Sequence, residues 1–112
     1  MKLEKILKEA AEILGIDAPA KSPNRRILFR CANLALWNVS VNYKNIRENI
    51  PQFKTTSDKV ENFDISTAAL LYGTMSEYAS VSGLVAEEKI FAEKFERLVY
   101  GLRHVGKIRR MP

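Results

Sequence analysis

AALLYGTMSEYASVSGLVAEEKIFAEKFERLVYGLRHVGKIRRMP (residues 68–112) reads as two helices joined at Ser82-Gly83, then a basic tail with no acid after Glu96. Ala69, Gly73, Ser76, Ser80 and Gly83 recur at alternating spacings of four and three, which keeps them on one helical stripe. Glycine inside a helix costs about 1 kcal/mol against alanine. Gly73 therefore needs a reason, and a flat stripe that lets another helix approach closely supplies one. The first helix is expected over about 66–81, capped by Asp64 or Ser66. The second is expected over about 84–103, with Ser82 as N-cap and Phe91, Phe95, Leu98 and Leu102 as its inner face.

Upstream, Leu3, Ile6, Leu7, Ala10, Ile13 and Leu14 recur at helical spacing, and Gly15 is a C-terminal stop, so a helix spans about 2–14. Pro19 and Pro23 mark a linker over 17–24. Ser22 as N-cap and Pro23 at the first helical position open another helix. Its inner stripe is read as Ile27, Leu28, Cys31, Leu34, Ala35, Asn38 and Val41, with helix favoured through Tyr43. Residues 45–63 contain Pro51 and the turn formers Thr55, Thr56, Ser57 and Asp58; an ordered loop is expected, with a short strand pair as the alternative. The expectation is an all-α fold: a small bundle of about four helices in one domain, 1–112, with 104–112 as a basic C-terminal extension in which 106–112 is read as a mobile tail.

The chain has 112 residues, enough for one hydrophobic core. No apolar run nears the roughly 18–20 residues that span a bilayer, and charges of both signs interrupt the first fifteen residues, unlike a signal peptide. One cysteine excludes an intrachain disulfide, and no Cys/His cluster is spaced to hold a metal. These features are read as those of a protein made in a cytoplasm, with no membrane contact, no metal and no cofactor.

No enzymatic constellation is spaced for use, so no catalytic residue is expected. His104 is the lone histidine and has no nucleophile or carboxylate placed to work with it. Cys31 falls on an apolar face, where a free cysteine is commonly buried as a small hydrophobe. No Gly-rich phosphate loop or dinucleotide fingerprint is present. Asn33, Asn38 and Asn42 are less usual, because asparagine competes for backbone hydrogen bonds within a helix. Structural pairing explains them, as does a polar contact that sets a neighbour's register. Tyr72 and Tyr78 suit core packing with the hydroxyl at the surface, and Glu87 and Glu88 suit the positive end of a helix dipole.

The net charge of +5 is unevenly placed. Residues 18–47 hold Lys21, Arg25, Arg26, Arg30, Lys44 and Arg47 with no acid, whereas 48–96 hold nine acids and four lysines. Such blocks suit nucleic-acid contact or charge matching between subunits, and a solvated basic surface accounts for the same residues. Lys21, Arg25, Arg26 and Arg30 are the candidate DNA-phosphate contacts. In the tail, Arg103, Lys107, Arg109 and Arg110 interleave with Val105, Ile108 and Met111. That mixture suits docking into a partner's groove, since phosphate contact alone needs no apolar residue.

Several of these motifs resemble those of small proteins from the head-to-tail region of tailed phages and prophages of Gram-positive bacteria. The matching residues are Leu71-Tyr72-Gly73, Ser76-Glu77-Tyr78, Val81-Ser82-Gly83-Leu84, Glu87-Glu88, Glu93-Lys94-Phe95 and Lys107-Ile108-Arg109-Arg110. Cys31, Asn33-Leu34 and Asn38 form a second matching patch. The resemblance covers about half the chain and implies a head–tail connector, or adaptor, subunit. It implies a homo-oligomeric ring, dodecameric in the family, between the portal protein and a tail-side neck protein, around the DNA exit path. It places the protein in the virion neck, with Gly73, Ser76, Ser80, Arg103, Lys107, Ile108, Arg109 and Arg110 at subunit or portal interfaces. The chain departs from that family in having too few residues at 44–64 for its β-rich insertion. The competing reading is a small DNA-binding regulator using Ser82-Gly83 as a helix-turn-helix. Its second helix would open LVAEEKIF, acidic where base-contacting residues belong.

Overall fold

Pro23 and Ser22 do at the second helix what their chemistry dictates. Proline has no N–H to leave unsatisfied in the first turn. The Ser22 hydroxyl accepts the Arg25 N–H at 3.2 Å. The computed structural model describes the backbone of residues 1–110 and the side chains of residues 1–100. Its elements are α1 (Leu3–Leu14), α2 (Pro23–Asn38), α3 (Thr67–Val81) and α4 (Val85–Arg110). A π-helical turn, Val39–Tyr43, continues α2, and a 3-10 turn, Val60–Asn62, precedes α3. The fold is all-α, and no strand forms among the described residues; an isolated bridge pairs Lys2 with Lys59.

Gly15 ends α1 in the left-handed conformation at φ 70°. Ser66, not Asp64, caps α3 by accepting the Ala69 N–H at 3.1 Å. Gly83, at φ 72°, turns the chain between α3 and α4. Ser82 does not cap the start of α4: it is the C-cap of α3, following Val81, and α4 starts at Val85. α4 continues through Arg110, so the extension expected at 104–112 begins as helix.

The core lies where α1, α2 and α3 meet, built from Leu3, Ile6, Leu7, Leu28, Leu36, Leu70 and Met75. A smaller cluster of Val39, Ala69, Phe95 and Val99 fastens α4 to α3 and to the end of α2. Gly73 sits at the crossing. A Cβ there would lie 2.8 Å from the Ala35 Cβ on α2 and 2.8 Å from the Phe95 ring on α4. The glycine is thus required by close packing, and the packing is within one chain.

The register of α2 differs from the sequence expectation. Leu28, Cys31 and Ala35 are buried as expected, but Ala32, Leu36 and Val39 complete the inner face. Ile27, Leu34 and Trp37 are exposed, and Asn38 and Val41 are half-buried. The physical reason is steric: small alanines are needed where α2 meets Gly73 of α3, and that fixes the helix rotation. On α4 the same shift puts Val99 inside and leaves Leu98 exposed.

Residues 45–63 form an ordered loop, tied down by hydrogen bonds at both sides. Lys2 offers α1 no side-chain cap. Instead the Leu3 and Glu4 N–H groups donate to the Asp58 and Thr56 carbonyls, both at 2.9 Å. On the other side, the Asn33 amide of α2 donates to the Phe53 carbonyl at 3.0 Å and accepts its N–H at 2.7 Å. Phe53 is buried against Phe63, with ring centroids 4.4 Å apart.

Candidate functional site: a basic cleft and exposed apolar faces

The turn before α2 and the loop after it converge on the N-terminal end of α1. Between them lies a cleft of 470 Å³ lined by Glu4, Ala20, Lys21, Arg25, Arg26, Phe29, Lys54, Thr55 and Thr56. Three of the four sequence-predicted phosphate contacts therefore come together. Arg30 does not join them; it lines a separate groove of 400 Å³ with Asn33, Leu34, Trp37, Ile50, Pro51 and Gln52. Lys54 and Phe29 were missed by sequence reasoning. Lys54 lies in an acid-rich block, and only folding of the loop onto α1 brings it to the cleft.

The cleft's groups are held in place. The Arg25 Nε–H donates to the Ala18 carbonyl at 2.9 Å. The Asp58 carboxylate accepts the N–H groups of Lys54 at 2.7 Å and Thr55 at 3.1 Å. Those backbone hydrogen bonds hold the Asp58 carboxyl below its ordinary pKa. Lys21 adopts φ 68°, a left-handed conformation unusual for a side chain other than glycine or asparagine. Among the described residues, no ion pair involves Lys21, Arg25, Arg26 or Lys54.

The other polar candidates are structural. Asn33 clamps the loop, and Asn38 accepts the Asn42 amide at 2.6 Å. Cys31 is buried, and burial pushes its thiol up to about 11. Tyr72 is half-buried against Phe91, with the Lys94 ammonium 5.3 Å from its ring centroid. Glu77, half-buried near Glu88, is raised above the usual carboxylate range, first by burial and then by that neighbouring charge. Lys44 pairs with the Asp64 carboxylate at 2.6 Å, beside the start of α3.

The residues assigned to subunit interfaces separate. Gly73 is covered by Ala35 and Phe95 of its own chain, which removes it from the surface and corrects its assignment to a partner contact. Ser76 is half-buried and lines a small cavity of 100 Å³ with Gly73, Glu77 and Phe95; Ser80 is exposed. The side chains of Arg103, His104, Lys107, Ile108, Arg109 and Arg110 lie outside the described residues.

Two apolar faces are left open instead. On α2, Ile27, Leu34 and Trp37 follow one stripe with Arg30 among them, turned away from the core face of Leu28, Ala32 and Ala35. At the α3–α4 turn and along α4, Val81, Val85 and Ile90 are all more than half exposed, at 64%, 76% and 63%, and Glu93 continues the Ile90 stripe. Among the described residues, no three His, Cys, Asp or Glu side chains gather as a metal-binding group. No described helix is long and apolar enough to cross a membrane. No protein-family model, curated protein or solved structure matches the chain.

Proposed function

We propose that this protein is a structural assembly subunit: a head–tail connector of a tailed phage or prophage, forming a ring with copies of itself. The ring lies between portal and tail, around the DNA exit path, in the virion neck. The observation that carries the reading is the pair of unlike exposed apolar faces on α2 and on the α3–α4 end. A closed twofold dimer buries one patch against its own copy, whereas two unlike patches pair head-to-tail, a contact that closes as a ring when the rotation between copies allows it. Arg30 lies within one face, and Lys89 and Glu93, of opposite sign to each other, lie within the other. The motif resemblance supports the same class of function, and its C-terminal basic segment would engage the portal or the adjacent copy.

The regulator reading gains no support from the helices it needs. Phe91 packs on Tyr72, Phe95 on Gly73 and Val99 with Ala69, so α3 and α4 lie antiparallel along several turns. Helix-turn-helix pairs cross steeply and free the second helix for a groove. The test of self-assembly is the mass of the purified chain across a concentration series. Multimers are expected, and Trp37→Glu and Val85→Glu should each reduce the mass. A strict monomer at all concentrations would contradict self-assembly. A multimer with ordered affinity for one duplex would favour the regulator.

A further inference from the structure

The cleft at the N-terminal end of α1 carries chemistry that ring assembly does not use. We propose that it binds one phosphorylated nucleoside unit, with the base against Phe29 and the phosphate among Lys21, Arg25, Arg26 and Lys54. The source of that unit is either a single-stranded nucleic-acid segment or a free nucleotide, which share this chemistry.

Size, charge and preorganisation point the same way. A volume of 470 Å³ falls within the range of small-ligand pockets, roughly 300–1,000 Å³. Four cations share the lining with one carboxylate, Glu4, and none of the four is in an ion pair among the described residues. Clustered like charge destabilises a free protein, and an anionic ligand relieves it. Arg25 is anchored through Nε to the Ala18 carbonyl, and Asp58 holds the Lys54–Thr55 backbone, so less freedom is lost on binding. Lys21 occupies a left-handed position where glycine would be less strained. A strained backbone that displays a cation in a cleft is where ligand binding and stability compete. Phe29 makes the difference between a phosphate site and a nucleotide site. It is half-buried, one side held by the core, and it lines the cleft beside the cations. Every base has a face to stack on an aromatic ring, so such a site is tolerant of sequence. The Glu4 carboxylate can accept from base edges, and the Thr56 hydroxyl can accept or donate.

The test uses the full chain and a short fluorescein-labelled oligothymidylate, followed by anisotropy at two salt concentrations. The duplex of the same length and thymidine monophosphate are the comparison ligands. The single strand is expected to bind more tightly than the duplex. Phe29→Ala should weaken binding by about 5- to 100-fold. Lys21→Gly should weaken it several-fold and flatten the salt slope by about one, while the melting temperature stays the same or rises. Lys89→Ala, on α4 outside the cleft, should bind as the parent does. Displacement by thymidine monophosphate assigns the site to a free nucleotide; binding of the strand without such displacement assigns it to a polymer segment. The proposal is overturned if duplex and single strand bind equally and Phe29→Ala changes nothing. It is also overturned if Lys89→Ala loses as much as Lys21→Gly, since net charge then accounts for binding.

Discussion

Gly73 shows how one missing methyl organises three helices. With Ala35 on one side and Phe95 on the other, a Cβ at 2.8 Å from each has nowhere to go, and the Ala35 Cβ is rigidly attached to α2. Gly73→Ala should therefore destabilise the fold despite a gain of about 1 kcal/mol in helix propensity, because overpacking typically costs about 1–3 kcal/mol. Gly73→Leu should cost more, and Glu88→Ala should stay within about 0.5 kcal/mol. Adding Ala35→Gly to Gly73→Ala should restore part of the loss. Urea midpoints measure all four, and a Gly73→Ala midpoint equal to the parent's would remove the steric account. Glu77 makes a second prediction at this scale. Its folded pKa is raised, so its contribution favours the fold at low pH and is lost as pH rises through that folded value. Glu77→Gln should thus raise the melting temperature at pH 7 and shrink the difference from the parent on acidification toward the carboxylate range. An unchanged melting temperature at pH 7 contradicts it. Cys31, pushed up to about 11 by burial, should react with iodoacetamide far more slowly in the folded chain than in urea.

At the scale of elements, most end signals were legible, though Ser82 as a cap and the end of α4 near 103 were misread, and rotation was not legible. Gly15, Ser22-Pro23, Ser66 and Gly83 act locally, through caps and positive φ, so the sequence alone locates them. α2 is different. It carries apolar residues on nearly every side, from Ile27, Leu28 and Phe29 to Leu36 and Trp37, so periodicity cannot choose its inner face. The choice is made by α3, whose Gly73 admits Ala35 and by α4, whose Phe95 closes the same gap. The loop was legible as a loop, but its role was not. Asn33 behaves as a piece of backbone, satisfying both polar groups of buried Phe53 across twenty residues of sequence. Asn33→Ala leaves that buried N–H and carbonyl unpaired, at about 1–3 kcal/mol. It should also raise amide exchange at Phe53 and loosen the cap that Thr56 and Asp58 give α1. Exchange at Phe53 equal to the parent's would show that the clamp is dispensable. The cleft depends on the same loop, which is why only part of it could be read from the sequence: Lys21, Arg25 and Arg26 are neighbours along the chain, and Lys54 arrives by folding.

At the scale of the molecule, a helical frame with extents of 51 × 30 × 21 Å leaves apolar residues open on α2 and on the α3–α4 end. A basic cleft lies at the N-terminal end of α1. Under the proposed function those apolar surfaces meet other copies of the chain, head-to-tail. α4 reaches Arg110, well beyond the length of α3, so a chain lacking residues 104–112 should keep its melting transition yet lose assembly. The most direct measurement mixes two single variants, Trp37→Glu and Val85→Glu, each of which blocks a different face. In a head-to-tail contact each variant alone is monomeric, and the equimolar mixture pairs once and stops, giving a dimer by light scattering. A mixture that remains monomeric, or variants that assemble like the parent, would contradict the account.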